Sequence, residues 1–289
     1  MKRSRVRLSL CGAAAGLMAL TAALTGNVSA SASADPKAPD SAAERYGWGD
    51  AVPEGSDEFD YGSEEEPAVP DQEKWNLAGG GENQCGEGHD GNGQRCDKNS
   101  RVVGGKLQQT GENNGDTGWL GSKFGQQYGR WEVRARSEAT SEGSDRQYHP
   151  LLILWPDSDR WPQDGEYDYL ENMAPGEDCA GGYLHYPHSP DADTQQEYVE
   201  KCGVDLTKWH NFAIEWTPDH LKGFIDGEEW FSLSGGENDV RDCIQCAPSM
   251  HQTIQLDNFF GDNLQSALYE VDWARVYSID GVSQPAGRS

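Results

Sequence analysis

The sequence predicts an all-β protein that folds as an antiparallel sandwich or barrel. Apolar and polar side chains alternate along several short segments, which is the pattern of strands that bury one face. The 35 glycines and 14 prolines interrupt these segments along the whole chain. No stretch of twelve or more residues carries the 3.6-residue apolar repeat of an amphipathic helix. Many short strands without helices are typical of a sandwich or a barrel.

Four segments show the strand pattern most clearly. Residues 130–136 alternate between apolar and charged side chains, and residues 212–216 alternate in a similar way. Residues 151–155 are apolar throughout, which predicts a strand that is covered on both faces. Near the C-terminus a long strand is expected to place five side chains on one face: Tyr269, Val271, Trp273, Arg275 and Tyr277.

A hairpin is predicted directly after residues 221–225. Asp226-Gly227 follows that apolar segment at once, and Trp230 and Phe231 come next. The Asp-Gly pair favours the two-residue turn whose backbone twist matches that of the flanking strands.

The first 34 residues are predicted to be a cleavable secretion signal. Four basic residues within positions 2–7 precede the apolar segment 8–24, and the small residues 32–34 form the cleavage pattern. A membrane anchor is the alternative, but the apolar run is short. No later stretch reaches the ~20 apolar residues of a transmembrane helix.

The rest of the chain divides by composition. Residues 35–54 are rich in Ala, Pro, Asp and Glu, so they are expected to form a flexible acidic leader. A single folded domain is expected over residues 55–279, followed by a loose tail over residues 280–289.

The charge of the chain restricts its partners. It carries 49 acidic residues against 23 Lys and Arg, which gives a formal net charge of −26. This charge repels phosphate groups at long range, so neither a nucleic acid nor an anionic membrane is expected as a partner. It also argues against a polyanionic substrate.

Six cysteines follow the secretion signal. An even number in an exported protein predicts disulfides, for which 15 connectivities exist. The C-I-Q-C spacing is also found in zinc and thioredoxin-like sites, but neither a second CxxC nor a βαβ pattern accompanies it. Proximity in sequence favours the pairs Cys85–Cys96, Cys179–Cys202 and Cys243–Cys246.

The acidic cluster in residues 161–171 is the most informative feature of the chain. Glu166 and Asp168 point to one face of a regular strand, where position 170 would come next. The third acid is Glu171, so a single β-bulge after Asp168 is needed to return it to that face. Like charges raise one another's pKa, so such a cluster is costly and indicates catalysis, with a structural ion cluster as the alternative.

The run W-P-Q-D-G-E-Y-D-Y-L-E in residues 161–171 resembles the active-site signature of glycoside hydrolase family 16. Its bulged E-x-D-x-x-E form is associated with laminarinases and many agarases. The resemblance covers about residues 55–279 and implies a β-jelly-roll sandwich with a substrate cleft. Further blocks that resemble the family, in the same order, lie at 57–60, 74–76, 128–135, 210–217, 224–227 and 271–277.

The resemblance also implies a role for each acid. Glu166 would be the nucleophile, Glu171 the general acid and base, and Asp168 would hydrogen-bond to the nucleophile and tune it. A retaining glycosidase needs two such carboxyl groups, one ionised and one protonated. The segment 255–257 differs from the sequence usual in the family. Because it is expected on a cleft strand, this difference leaves the identity of the bound sugar open.

Three side chains near the acids are candidates for substrate binding: Trp155, Trp161 and His185. Tryptophan stacks on sugar rings, and Trp161 resembles the family's stacking residue. His185 resembles a histidine on the strand beside the acidic one, where it would hydrogen-bond a sugar hydroxyl. Core packing is the alternative for each of them.

Asp272 is a candidate ligand of a structural calcium ion. In many family members the matching aspartate binds calcium together with backbone carbonyls, and a carboxylate suits this ion. A salt bridge to an arginine is the alternative. No cofactor is expected for the chemistry itself.

Taken together, these features predict a secreted, monomeric, retaining endo-glycosidase. Its expected partner is a neutral β-linked polysaccharide, a β-1,3- or β-1,3/1,4-glucan. A galactan hydrolase of the agarose type on the same scaffold is the first alternative. The second alternative is a lectin that has lost activity. The three mutually repelling acids argue against it, because a lectin would have no reason to retain them. Transglycosylation instead of hydrolysis also stays open.

Overall fold

The computed structural model describes residues 41–81, 83–191, 193, 195–236 and 243–279. The predicted signal and tail lie outside these residues. The described part contains one short α-helix, α1 (Ala42–Tyr46), and 3-10 helices at Ala78–Gly80, His89–Gly91 and Asp97–Asn99. Its strands are β1 (Trp75–Leu77), β2 (Cys85–Glu87), β3 (Gln94–Cys96), β4 (Ser100–Val103), β5 (Lys106–Gly111), β6 (Asp116–Thr117), β7 (Trp119–Gln126), β8 (Gly129–Ala139), β9 (His149–Pro156), β10 (Glu166–Glu171), β11 (Cys179–His185), β12 (Gln196–Cys202), β13 (His210–Trp216), β14 (Leu221–Ile225), β15 (Glu228–Leu233), β16 (Met250–Asp257) and β17 (Ala267–Tyr277).

The strands form two large antiparallel sheets that share one core. The front sheet has the order β1-β7-β16-β9-β10-β11-β12, and the back sheet has the order β15-β14-β13-β8-β17-β5-β4. A small third sheet, β2-β3-β6, contains a parallel β3–β6 pair. The predicted all-β antiparallel sandwich is therefore confirmed. Among the described residues, no helix is long and apolar enough to cross a membrane.

Alternation along each strand divides core from surface. On β8, Trp131, Val133 and Ala135 lie in the shared core, while the three arginines of the opposite face, at positions 130, 134 and 136, stay partly exposed. The strand predicted from 130–136 is thus confirmed, as are those from 151–155 and 212–216. Strand β9 is buried on almost every residue, as its apolar run predicts.

The predicted hairpin is also present. Strands β14 and β15 are antiparallel neighbours joined by Asp226 and Gly227. Both turn residues have positive φ angles, 51° and 72°. Such a turn needs left-handed backbone at both positions, which glycine and aspartate tolerate better than bulkier residues.

The expectation for the C-terminal strand is wrong beyond Val271. The register of β17 against β8 shifts between Val271 and Trp273, so Asp272 is an extra residue in the strand. From that point the core side chains are Ala274 and Val276. Trp273 instead lies on the outer face, where the guanidinium carbon of Arg275 is 4.0 Å from its ring centroid.

Residues 41–54 do not form the flexible leader that their composition predicts. Helix α1 begins after Ser41, whose hydroxyl accepts a hydrogen bond from the Glu44 amide at 3.1 Å. The segment packs on the outer face of the back sheet through Ala42, Ala43 and Trp48. A few small and aromatic side chains are enough to dock it, which a measure of average composition does not reveal.

A buried carboxyl group holds this segment in place. Glu132 of β8 is fully buried, and its two oxygens accept hydrogen bonds from the amides of Ala42 (2.6 Å) and Ala43 (3.1 Å). Burial raises the pKa of Glu132 to about 7, while these two hydrogen bonds oppose the shift. The first turn of α1 therefore depends on a residue 90 positions away in the sequence.

Removing this acceptor should loosen the N-terminal segment. We expect Glu132→Ala to lower the free energy of unfolding by about 1–3 kcal/mol, because two buried amides lose their partner. Denaturant unfolding measures this change. Glu138→Ala, which changes an exposed carboxylate on the same strand, is the control. Equal stability of the two variants would contradict the role of Glu132.

Candidate active site

The three acids lie together on the outer face of the front sheet. On β10 the register against β9 shifts between Asp168 and Leu170, so Tyr169 is an extra residue without a partner on β9. This is the bulge that the spacing predicts, and it returns Glu171 to the face of Glu166 and Asp168. The core side of the same strand is anchored by Leu170, among others.

Two core tyrosines fix the other side of β10. The hydroxyl of Tyr167 donates to the carbonyl of Ile244 at 2.5 Å. The hydroxyl of Tyr169 hydrogen-bonds to the side-chain oxygen of Gln252 on β16, also at 2.5 Å. A phenol that is both packed and hydrogen-bonded restricts the strand in position and in rotation.

His185 of the neighbouring strand β11 lies beside the acids. Glu166 is paired with His185, and Asp168 is paired with Tyr183. The imidazole Nε2 of His185 lies 3.6 Å from an Asp168 carboxyl oxygen. One potential ligand atom from each of Glu166, Asp168 and His185 lies within 4.8 Å of the others. The predicted His185 thus stands beside two of the acids.

Burial governs the protonation of this cluster. It raises the pKa of Glu166 well above its ordinary value, and the negative charge of Asp168 adds to the shift. Burial likewise raises the pKa of Asp168, with Glu171 adding to it. Glu171 has a pKa raised to about 7 by burial, against the opposing charge of His185. Burial and mutual repulsion therefore favour the protonated forms in this cluster, and a side-chain hydrogen bond links Glu166 to Asp168.

A long cleft begins at Glu166 and runs over the outer face of β9, β16, β7 and β1. Its volume is about 1350 Å³. Trp155 and Trp161, both predicted to bind substrate, line it, and Trp161 is 42% exposed. The indole of Trp155 donates to Asp159 at 3.0 Å, and Trp161 meets the ring of His185 edge-on at 6.1 Å. Their exposure in the cleft leaves them free to stack on a sugar ring.

The far wall of the cleft contains residues that sequence reasoning missed. Arg95 of β3 donates two hydrogen bonds to Asp257 at 3.0 and 3.2 Å, and the Asp257 carboxylate is buried. Gln255 donates to the same carboxylate at 3.2 Å. His89 also lies 3.5 Å from it, so several polar groups of the wall are held at one point. In the sequence, the only indication of this wall is that segment 255–257 differs from the residues usual in the family.

A second missed group lies on the cleft floor. Asp157 accepts hydrogen bonds from Ser249 at 2.5 Å and from the His251 imidazole at 2.9 Å. Trp119 of β7 lines the cleft nearby. These residues lie in or directly beside three strands that are distant in sequence, so only the pairing of β7, β16 and β9 brings them together.

The structure contains the three predicted disulfides. Cys85–Cys96 joins β2 to β3, and Cys179–Cys202 joins β11 to β12. Cys243–Cys246 closes a short loop. Cys179 and Cys202 also lie near Glu200 in a group with metal-ligand geometry, but their thiols are consumed by the disulfide.

Asp272, the predicted calcium ligand, has a cationic partner. The Arg134 Nε lies 3.3 Å from its carboxylate. A guanidinium group at this position repels a cation, so the residues present fit a salt bridge better than a calcium site. Calcium binding at Asp272 stays an untested prediction.

Comparison with known proteins agrees with this architecture. The family model described as glycosyl hydrolases family 16 matches residues 91–275. A beta-glucanase from Rhodothermus marinus is 30% identical over 192 residues, which cover 61% of this chain and 63% of that protein. The structure of a laminarinase from Rhodothermus marinus superimposes with a TM-score of 0.58 at 25% identity, covering 79% of this chain and 97% of that one.

A more distant relative carries a different description. A beta-1,3-glucan-binding protein from Penaeus monodon is 29% identical over 118 residues, which cover 36% of this chain and 31% of that protein. The chain therefore spans less than two thirds of the length of either curated relative.

The protonation of Glu171 can be measured without a substrate. We expect its carboxyl carbon to titrate with a midpoint of about 7 in carbon-detected NMR, because burial disfavours the charged form. Asp257→Asn should lower this midpoint, because the negative charge of Asp257 adds to the raised pKa of Glu171. Glu138→Gln, on the back sheet, should leave it unchanged. A wild-type midpoint below about 5 would contradict the assignment.

Proposed function

The chain belongs to glycosyl hydrolase family 16, and from this premise we propose that it is a retaining endo-glycosidase of neutral β-glucans. The observation that carries the proposal is the bulged strand β10, which places Glu166, Asp168 and Glu171 on one face at the end of a long cleft. A cleft that extends well beyond the acids suits attack within a polymer. The proposed substrate has β-1,3 or mixed β-1,3/1,4 linkages.

In the first step Glu166 attacks the anomeric carbon while Glu171 gives a proton to the leaving oxygen. A raised pKa suits Glu171 to this task, because the group must be protonated at working pH. The product of this step is a glycosyl-enzyme ester. In the second step Glu171 accepts a proton from water, which displaces Glu166 with net retention of configuration.

In this proposal, Asp168 takes up the proton that Glu166 must lose before it can act as the nucleophile. Glu166 must be ionised to attack, although burial and the neighbouring acid favour its protonated form. The Glu166–Asp168 pair shares a proton, and placing that proton on Asp168 frees the Glu166 carboxylate while keeping the hydrogen bond. His185, 3.6 Å from Asp168, stabilises negative charge on the pair when its ring is protonated.

Two observations support a neutral glucan as the substrate. The relatives with a beta-glucanase and a laminarinase description share the family and the fold. In addition, the net charge of −26 disfavours binding of a polyanion. A galactan of the agarose type is the alternative substrate. The glucan-binding relative favours a second candidate function, that of a non-catalytic glucan-binding protein.

Secretion belongs to the same proposal. The basic, apolar and small-residue pattern of residues 1–34 supports export. The disulfides support it further, because such bonds persist in oxidising compartments.

A panel of polysaccharides tests the proposed function. We expect the mature protein to cleave laminarin or barley β-glucan internally, with oligosaccharide products identified by mass spectrometry. Agarose, κ-carrageenan and xyloglucan should be poor substrates. Glu166→Gln should lower turnover by about 10⁴-fold or more without lowering glucan affinity, because it removes the nucleophile. Cleavage of agarose alone, or binding without cleavage, would decide for one of the alternatives.

The roles of the two glutamates can be separated by azide. Glu171→Ala should slow polysaccharide cleavage by about 10²–10⁴-fold. An aryl glycoside needs no proton on its leaving group, so its first step should be less affected, and azide should rescue the second. The product should be the β-glycosyl azide, which NMR identifies, because azide displaces an α-linked ester at Glu166. An α-azide from Glu171→Ala would require the two roles to be exchanged.

A further inference from the structure

Two tyrosines extend the row of acids toward the edge of the front sheet. Asp168 of β10 is paired with Tyr183 of β11, and Tyr183 is paired with Tyr198 of β12. Directly paired residues in antiparallel strands project their side chains to the same face. Asp168, Tyr183 and Tyr198 therefore form one row that crosses three strands on the outer face.

The tyrosines form an open aromatic surface. Their ring centroids are 4.9 Å apart with the planes inclined by 42°, and Tyr198 is 50% exposed although it lies in a strand. Gly181 of β11 lies beside them: a Cβ there would contact the Tyr198 ring at 3.7 Å and would stand only 2.8 Å from the Glu171 carbonyl oxygen, so the backbone of Glu171 requires a glycine at this position. The Tyr198 hydroxyl donates to Glu200 at 2.7 Å, which restrains the ring.

The two tyrosines lie on the side of the acids opposite to the long cleft, and Tyr183 is a neighbour of Glu171. Glu166 lies in the lining of the long cleft, which extends over β9, β16, β7 and β1. The tyrosines lie on the opposite side of β10, over β11 and β12. The charge of Glu171 contributes, after burial, to a raised pKa of Tyr183, so the acid and this phenol are neighbours. A sugar chain that crosses the strands from the cleft past the acids reaches Tyr183 and Tyr198 next.

We propose that Tyr183 and Tyr198 form a stacking platform for the sugar on the leaving-group side of the scissile bond. The platform rests on the proposed function, because that function defines which sugar leaves. Aromatic faces pack against the C–H groups of a β-linked glucosyl ring, and Glu200 offers an acceptor for its hydroxyls. The same platform holds the acceptor when a sugar hydroxyl, instead of water, attacks the glycosyl-enzyme ester. In that transfer the bond to Glu166 breaks and the acceptor proton passes to Glu171.

The test compares substrates that do and do not reach the platform. Laminarihexaose spans both sides of the acids, whereas an aryl β-laminaritrioside has no sugar on the leaving-group side. We expect Tyr198→Ala to lower the ratio of kcat/KM for laminarihexaose to that for the aryl glycoside by about two- to tenfold. Tyr198→Phe, which keeps the ring, should preserve most of the ratio. Tyr46→Ala, which removes a similarly exposed tyrosine from α1, should leave it unchanged.

Calorimetry supplies a readout that does not depend on turnover. In the Glu166→Gln background, Tyr198→Ala should weaken laminarihexaose binding by a similar factor. An unchanged ratio and an unchanged Kd would overturn the platform, and so would an equal loss in Tyr198→Phe. If the otherwise unaltered protein cleaves no glucan, the proposed function fails, and the Kd alone decides whether the tyrosines bind sugar. Absence of any laminarihexaose binding would overturn both.

Discussion

Three carboxyl groups crowd together on strand β10, and the rest of the structure must offset the free-energy cost of holding them there. Burial raises the pKa of Glu166 and of Asp168, and the charge of a neighbouring acid adds to each shift. Strand β10 holds this arrangement because it is paired on both edges and anchored in the core by Tyr167, Tyr169 and Leu170. Packing on the core face thus offsets repulsion on the outer face, and the resulting proton sharing suits acid–base chemistry.

The sandwich contains two β-bulges of the same kind, of which one could be predicted from the sequence and the other could not. An extra residue at Tyr169 brings Glu171 to the face of the other acids, and the spacing of the acids reveals it. An extra residue at Asp272 turns Trp273 outward. The second bulge leaves no trace in the sequence, because an amphipathic side chain such as Trp273 suits either face of the strand. Period-two reasoning therefore places strands reliably but loses the face after an unmarked bulge.

Features that depend on one stretch of chain were predictable from the sequence, whereas those that depend on distant partners were not. The hairpin at Asp226 is local, while the docking of α1 depends on Glu132 and the cleft wall on an Arg95–Asp257 pair 162 residues apart. The tyrosine platform is an intermediate case. Once Cys179 pairs with Cys202, antiparallel register alone places Tyr183 opposite Tyr198, four residues inward from each cysteine. The disulfide was predicted from the sequence, but the two strands that carry it were not, so this contact became visible only in the structure.

The pairing of β8 with β17 has a consequence for the order of folding. These strands meet at the centre of the back sheet, where Arg130 is paired with Tyr277. The two residues are far apart in sequence, so the loop between them must close before the pairing stabilises anything. Sandwiches dominated by such non-local contacts fold in milliseconds to seconds, much more slowly than helical bundles. During synthesis from the N-terminus, the back sheet cannot close until β17 has emerged, so the front-sheet strand β10 faces an incomplete back sheet until then.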